Sequence, residues 1–405
     1  MRILASVVEA TLLTAGTLGA GAGLYLLLLA LAALFYRETP PLDTPSSHLT
    51  VLVPAHDEAD LIRRCLASLR AQDYPARLYD VVVIADNCTD ETAQLARSAG
   101  ATVLVRDAPD ARGKGQALRW AMDRLLARGG SPDAFIIVDA DSIAEPSMLR
   151  CLASSFERGS PVVQADYTVL CDPTAGRVQL RALAFLLFHR ARFSGRAVLG
   201  LPCSLVGNGM LLATEVVASH PWSAFTPAED LEYTLTLRLA GIRPAYSRAA
   251  RIQAPVPATA GSAQVQRERW EGGRLHLVRR ALPGLLRDVL VGGRLRDLDL
   301  AVDLAVPPLG LLALWLLAVA MPATVLAATG MVPALTVAPS LVGLVSVIGF
   351  VVTGLLAAGA PAEMFVSLLL TPVFLAEKLM GTAGVFRNQA ADRWIRTERP
   401  GDAVS

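Results

Sequence analysis

Asp139 and Asp141 stand two residues apart at the end of the run Phe135-Ile136-Ile137-Val138. Ile136, Ile137 and Val138 are β-branched and continuous, the pattern of a parallel strand covered on both faces. Residues two apart on an extended backbone point the same way, so such a strand end presents two carboxylates side by side. The two repel each other unless a cation lies between them. A hard divalent ion with oxygen ligands, Mg²⁺ or Mn²⁺, suits them, and it usually keeps substrate phosphates as further ligands. A polar strand end entering a turn would read the same way, so the surrounding chain decides.

That chain alternates strand and helix. Leu49 to Val53 predicts a first strand, closed by Pro54. Glu58 to Arg70 predicts an amphipathic helix with Leu61, Ile62, Cys65, Leu66 and Leu69 on one face. Asp80 to Ala85 is a second strand ending at Asp86-Asn87, and Thr89-Asp90-Glu91-Thr92 opens a helix with residues suited to its N-terminus. Thr102 to Val105, Gly115 to Arg128 and Phe135 to Val138 complete the pattern. It predicts an α/β, doubly wound, mostly parallel sheet, whose ligands bind at the carboxyl ends of the strands. His56-Asp57-Glu58, Asp86-Asn87 and Asp139-Ala140-Asp141 then share one rim. Between them lies Arg112-Gly113-Lys114-Gly115-Gln116, whose glycines allow close approach and whose lysine suits a phosphate. A G-x-x-x-x-G-K-[ST] loop is absent, and no G-x-G-x-x-G follows the first strand, which weighs against a dinucleotide. Acids for a metal and a sugar, plus a lysine for a diphosphate, point to a nucleotide diphosphate with something attached.

Val53-Pro54-Ala55-His56-Asp57-Glu58, Asp86-Asn87-Cys88-Thr89-Asp90, Gly113-Lys114-Gly115 and Asp139-Ala140-Asp141 together resemble the family 2 glycosyltransferases of the GT-A fold. The resemblance implies transfer of a sugar, with inversion, from a nucleotide-sugar donor. It places Ala55 and Glu58 beside the nucleobase and ribose, and gives Asp86 the reading of the base. Lys114 touches the diphosphate, Asp139 faces the nucleotide, and Asp141, with Asp139, holds the metal. Ala228-Glu229-Asp230 resembles the family motif whose aspartate is the general base. A base is needed because an acceptor hydroxyl is a poor nucleophile. A helix-start acid is the competing reading for Glu229, since Leu231 to Leu239 is helical in pattern. Gly207-Asn208-Gly209-Met210 resembles the loop near the acceptor in membrane-bound members, though glycine pairs are also common in plain turns. Asp166 follows the apparent strand Val162-Val163-Gln164 and has no assigned role. His56 stands where the family usually has tyrosine, and Lys114-Gly115-Gln116 departs from the usual polymerase loop.

Gln266-Arg267-Glu268-Arg269-Trp270 matches the Gln-x-x-Arg-Trp motif of the family's bacterial polysaccharide synthases, the makers of cellulose, hyaluronan and poly-N-acetylglucosamine. Gln266, Arg269 and Trp270 fall on neighbouring helical faces. Arg269 could pair with diphosphate oxygens, Trp270 could face a sugar ring, and Gln266 could bond near either. A surface helix whose tryptophan packs on the domain is the plainer alternative. Arg274, Arg279, Arg280, Arg287, Arg294 and Arg296 follow, interleaved with leucines, as on a helix lying along an anionic membrane face. Arg177 to Arg196 is similar in pattern and reads equally as a half-buried helix.

The chain has 405 residues, 53% of them hydrophobic, and a net charge of +1. That is too apolar for a soluble enzyme alone and too charged for a bundle of spans, so a soluble domain plus membrane segments is expected. The charge gives no case for nucleic acid. Five scattered cysteines without C-x-x-C spacing fit a reducing cytosol rather than a disulfide framework or a zinc site. Ala10 to Tyr36 is 27 residues without a charge, long enough to cross a bilayer. Leu304 to Ala362 is 59 uncharged residues, read as two spans broken near Gly330 to Pro333. Met364 to Ala376 is short for a span and is read as re-entrant or interfacial.

The expected order is therefore a transmembrane helix and linker at 1–48, a GT-A catalytic domain at 49–255 and the Gln-x-x-Arg-Trp segment with interfacial helices at 256–303. A transmembrane region at 304–386 and a basic cytoplasmic tail at 387–405 follow. Nucleotide sugars are a cytosolic pool, so the catalytic domain is expected on the cytoplasmic face of the plasma membrane, with the N-terminus outside. The partners implied are a nucleotide-sugar donor, a carbohydrate or lipid acceptor, and membrane lipids around the spans. Exopolysaccharide synthesis is the leading reading. A glycolipid enzyme making a single transfer and an inactive membrane scaffold are the alternatives, and the intact acids Asp86, Asp139, Asp141 and Asp230 argue against the scaffold.

Overall fold

The computed structural model describes residues 2–170, 176–255, 260–373 and 375. The tail at 387–405 and most of the region from 374 onward lie outside the described residues, as does Cys171.

Eight strands form one sheet: β1 (Leu49–Ala55), β2 (Tyr79–Asp86), β3 (Thr102–Arg106), β4 (Ala134–Ile137), β5 (Ile143–Ala144), β6 (Val162–Leu170), β7 (Met210–Ala213) and β8 (Ala245–Pro255). Their order across the sheet is β3-β2-β1-β4-β7-β6-β8-β5. β3, β2, β1 and β4 are parallel neighbours, as the strand–helix alternation requires. β7 runs antiparallel to both β4 and β6, and β5 antiparallel to β8, so the mostly parallel sheet carries antiparallel insertions. Alternate residues of β1 serve opposite cores. Val51 and Val53 pack with Ile62, Cys65, Leu66 and Leu69 of the helix Ala59–Arg70. Leu52 packs with Leu118, Ala121 and Met122 of the helix Lys114–Leu126. Each fully buried aliphatic side chain of this kind contributes roughly 1.5–3 kcal/mol.

Two strand ends differ from the sequence reading. Pro54 does not close β1, which runs on to Ala55. β4 pairs with β1 only from Leu49 to Leu52, so no ladder bond to β4 is asked of Pro54's missing N–H. β4 stops at Ile137, and Asp139 to Asp141 form a turn in which the Ser142 N–H donates to the Asp139 carbonyl at 3.0 Å. The two carboxylates are thus aimed by a turn and not by the pleat of a strand.

A second unit contains the apolar helices. Among the described residues, three helices are long and apolar enough to cross a membrane: Ile3–Ala33, Leu309–Ala328 and Ala334–Ala358. The last two are separated near Gly330 to Pro333, where the sequence placed the break. Ala362–Val373 is a shorter apolar helix. The N-terminal helix packs through small residues: a Cβ on Gly23 would lie 2.9 Å from the Gly343 carbonyl oxygen and 3.2 Å from Ser346 Cβ. Residues 176–201, expected within the catalytic domain, fold with these helices instead. Leu183, Leu187 and Ala191 pack against Leu26, Ala30, Leu312, Leu316 and Phe350.

Arg192 and Arg196 of this segment are buried, which settles the open reading of Arg177 to Arg196 at those two positions. Arg192 Nη2 donates to Asp303 Oδ1 at 2.5 Å, and Arg196 donates to Asp303 Oδ1 at 2.9 Å and Asp299 Oδ2 at 2.6 Å, as well as to the Tyr25 hydroxyl. Their charges face other side chains rather than a lipid surface.

Candidate active site

Lys114 begins its helix after Gly113, whose φ of +120° lies outside the range an L side chain adopts easily. That entry points the lysine across the strand ends. Its Nζ donates to Asp139 Oδ1 at 2.5 Å and to the Gly207 carbonyl at 2.6 Å. Burial lowers the lysine's pKa, but Asp139, Glu229 and Asp230 outweigh it and hold the group above its ordinary value.

Asp230 is the second residue of the helix Glu229–Leu239. Trp222 and Tyr233 are fully buried with ring centroids 4.4 Å apart, and the Tyr233 hydroxyl donates to the His220 carbonyl at 2.7 Å. These contacts fix the helix against the sheet. Asp230 Oδ1 accepts the Leu231 N–H at 2.7 Å. A Cβ on Gly207 would stand 3.3 Å from Asp230 Oδ2 and 3.6 Å from Lys114 Nζ, so this backbone, at φ +80°, passes between acid and lysine. Burial pushes the pKa of Asp230 up, and burial together with the Asp230 charge pushes Glu229 up to about 7. Glu229 is an acid of the helix's first turn, as the competing reading had it, and it also lies close enough to Lys114 and Arg269 to feel their charges.

The motif helix Ala260–Leu290 abuts this corner at Gly273, where a Cβ would meet Ala228 Cβ at 3.0 Å. Arg269 lies one turn earlier, close enough to Glu229 to draw that carboxyl's pKa down against burial. Gln266 is half-buried, and Trp270 is 38% exposed.

The nucleotide side of the rim is built from the ends of β1 and β2. Ala55 ends β1 and is buried, and Glu58 is buried at the start of the next helix with its N–H bonded to Thr92 Oγ1 at 2.7 Å. Asp57 and Asn87, at φ +52° and +49°, are non-glycine residues in the left-handed region, a strain that concentrates at ligand sites. Asp86 is buried, and its Oδ1 accepts Arg106 Nη1 at 2.5 Å and Asn87 Nδ2 at 3.0 Å. Arg106 was not anticipated. It ends β3 in register with Asp86, and cross-strand register is the signal that would have found it.

Asn208 is placed differently from its expected role at the acceptor or diphosphate. It is fully buried, and its amide is engaged by Asp139 and Ser142. Asp166 is likewise fully buried and accepts the Tyr246 hydroxyl at 2.7 Å, a structural role.

Asp139 and Asp141 offer hard oxygen donors, and that chemistry fits Mg²⁺ or Mn²⁺. Among the described residues, a set of three metal-capable side chains, Asp57, Cys88 and Asp90, has ligand atoms within 4.8 Å of one another. Hydrogen bonding accounts for that set. Asp57 Oδ1 accepts the Thr89 N–H at 2.7 Å and Asp90 Oδ2 the Ala59 N–H at 3.0 Å, which ties the two loops together. Burial pushes the Cys88 thiol up to about 11, away from the thiolate a metal would need.

The family described as "Glycosyltransferase like family 2" matches residues 45–273, more than half of the chain. A 67-residue stretch is 42% identical to the 4,4'-diaponeurosporenoate glycosyltransferase of Staphylococcus aureus strain N315, covering 16% of this chain and 17% of that protein. The chain thus spans well under two thirds of that relative. A mannosyltransferase of Pyrobaculum calidifontis, solved with GDP-mannose and Mn²⁺, aligns with a TM-score of 0.53 at 20% identity, over 86% of this chain and 98% of the other. Glucosyl-3-phosphoglycerate synthase of Mycobacterium tuberculosis, solved with Mn²⁺, UDP and glucosyl-3-phosphoglycerate, aligns at 0.40 and 21% identity, over 58% of this chain and 80% of that one.

Proposed function

The chain belongs to the family 2-like glycosyltransferases, and from that premise we propose that it is an inverting, metal-dependent enzyme using a nucleotide-diphosphate sugar, UDP-linked in the first instance. The observation that carries this is the convergence of Lys114, Asp139, Gly207 and Asp230 at one corner of the rim. Asp230 takes the proton of the acceptor hydroxyl, and its raised pKa makes it a stronger base than an ordinary carboxylate. The acceptor oxygen attacks C1 of the sugar from the face opposite the diphosphate. The C1–O bond breaks as the new one forms, so the configuration inverts. Lys114 moves its hydrogen bonds to the departing diphosphate, and Arg269 reaches it from the motif helix. A divalent cation at Asp139 and Asp141, when bound, neutralises that leaving group.

The acceptor hydroxyl is presented at the cytoplasmic face of the membrane, which the chain's three apolar helices are long enough to cross. Leu290, Val291 and Leu295 are 79%, 80% and 71% exposed, and Arg287, Arg294 and Arg296 are exposed among them. Such a stretch suits an anionic headgroup layer. The Gln266, Arg269 and Trp270 motif supports exopolysaccharide synthesis. A single transfer to a lipid is the second reading. It is favoured by the presence of only three spans of sufficient length among the described residues, which leaves a narrow path for a polymer.

The test is a donor screen with the purified full chain, following release of UDP or GDP with Mg²⁺ or Mn²⁺ and a panel of lipid and sugar acceptors. Metal-dependent release is expected. Donor binding without release across the panel would leave the scaffold reading standing. Product length from labelled sugar separates the two enzyme readings, since a uniform one-sugar lipid would end the polymer reading.

A further inference from the structure

The amide of Asn208 bridges the two ends of the turn that carries Asp139 and Asp141. The Asp139 N–H donates to Asn208 Oδ1 at 3.1 Å. Asn208 Nδ2 donates to Ser142 Oγ at 2.8 Å, and Ser142 Oγ donates to Asp141 Oδ1 at 3.2 Å. The direction of each bond follows from chemistry. A backbone N–H can only donate, so the atom facing it is the amide oxygen, and the NH₂ group must face Ser142. Having accepted from Asn208, the Ser142 hydroxyl spends its own proton on Asp141.

Asn208 is itself held from behind. Gln164 Nε2 donates to the Asn208 carbonyl at 2.7 Å, and the Val206 N–H donates to Gln164 Oε1 at 3.0 Å. The Gly209 N–H donates to the Ile137 carbonyl at 2.9 Å. Asn208, Ser142 and Gln164 are all fully buried. A buried, satisfied network of this kind is rigid, and it would be costly to leave half-made. On the other side of Asn208, the Gly207 carbonyl receives Lys114.

We propose that Asn208 and Ser142 are positioning residues that set Asp139 and Asp141 as a pair for the divalent cation. Asn208 reaches Asp139 through its backbone and Asp141 through the Ser142 hydroxyl. Neither residue touches the sugar. The inference rests on the metal-dependent glycosyltransferase reading and deepens it. An amide at position 208 makes both bonds, whereas aspartate would keep the shape and lose the donor. In Asn208→Asp the Ser142 proton is drawn to the new carboxylate and away from Asp141.

The test is Mn²⁺ binding to the full chain in detergent, read as loss of the free-ion signal in electron paramagnetic resonance, with and without UDP or GDP. Ser142→Ala, Ser142→Thr and Asn208→Asp are compared with wild type, alongside nucleotide binding in EDTA. Groups that orient metal ligands typically cost about 10–100-fold in metal affinity when removed. Ser142→Ala and Asn208→Asp should show losses of that size, Ser142→Thr should restore binding, and nucleotide binding in EDTA should not change. Wild-type Mn²⁺ affinity in Ser142→Ala would overturn the proposal, as would an equal loss of nucleotide binding in EDTA. Should Asn208→Asp fail to fold, the Ser142 pair decides alone. Failure of the wild type to bind Mn²⁺ even with nucleotide would instead overturn the metal-dependent reading beneath it.

Discussion

Gly273→Ala tests whether the motif helix is seated by one close contact. A Cβ there would lie 3.0 Å from Ala228 Cβ, 3.2 Å from Ala228 N and 3.5 Å from the Pro227 carbonyl carbon. That is tighter than ordinary carbon–carbon contact of about 3.5–4.0 Å, so the helix or its neighbour must give by a few tenths of an ångström. Two effects on stability oppose each other. Alanine gains about 1 kcal/mol over glycine in a helix interior, and overpacking costs about 1–3 kcal/mol. The melting temperature should therefore fall only slightly. The rate has no such compensation, because Arg269 moves with the helix away from Glu229. A misplacement of about 1 Å can cost about 100-fold, so a shift of a few tenths of an ångström should cost about two- to tenfold in turnover. Gly272→Ala is the control, since nothing lies within 4 Å of its Cβ. It should take only the helix gain and keep its activity. The assay is nucleotide diphosphate release by the purified chain, with a thermal melt of each variant. Wild-type turnover in Gly273→Ala, or an equal loss in Gly272→Ala, would refute the reasoning.

Asp230→Asn should keep donor binding and lose about two to four powers of ten in transfer rate; unchanged single-turnover rates would remove Asp230 as the base. The raised pKa of Asp230 puts the acid limb of the rate profile above the ordinary carboxylate range, with activity falling as pH drops through it. Glu229, held up to about 7 by burial and by the Asp230 charge, is neutral where Asp230 ionises, so Glu229→Gln should leave that limb in place in a profile of kcat/KM. Asp303→Asn strips the shared partner of Arg192 and Arg196 and leaves buried guanidinium charge undercompensated. Breaking such a pair costs about 3–5 kcal/mol, and a melt in detergent identical to wild type would count against it.

The parallel half of the sheet was legible because each strand was a short β-branched run and each helix had one apolar face. β1 to β4 lie within a residue or two of their expected ends. The antiparallel β7 was hidden because Gly207 to Met210 reads as a turn, and only tertiary pairing with β4 and β6 makes a strand of Met210–Ala213. Asp86, Lys114, Asp139 and Asp230 were visible as acids and a lysine at strand and helix ends. Arg106, Ser142 and Gln164 were not, because they act through cross-strand and cross-loop bonds that no local spacing encodes. The stretch Arg177 to Arg196 stayed open for a related reason: alternating arginine and leucine looks the same whether the arginine meets a headgroup or a buried aspartate 107 residues away.

The charges at the rim give a reason for the metal that does not depend on likeness to other proteins. Asp139, Asp141, Glu229 and Asp230 are acids; Lys114 acts on Asp139, Glu229 and Asp230, and Arg269 acts on Glu229. The carboxylates of Asp139, Asp141 and Asp230 set negative charge where a diphosphate would lie. A bare nucleotide diphosphate would meet repulsion there, and the low dielectric of a half-buried cleft enlarges that cost. A divalent cation arriving with the diphosphate brings two positive charges and turns the same acids into ligands. Lys114 links the two conditions. Its ammonium holds the Asp139 oxygen that the cation would need, and a diphosphate is the partner that can draw it away. Metal and nucleotide should therefore bind with positive coupling, each raising the other's affinity by the same factor.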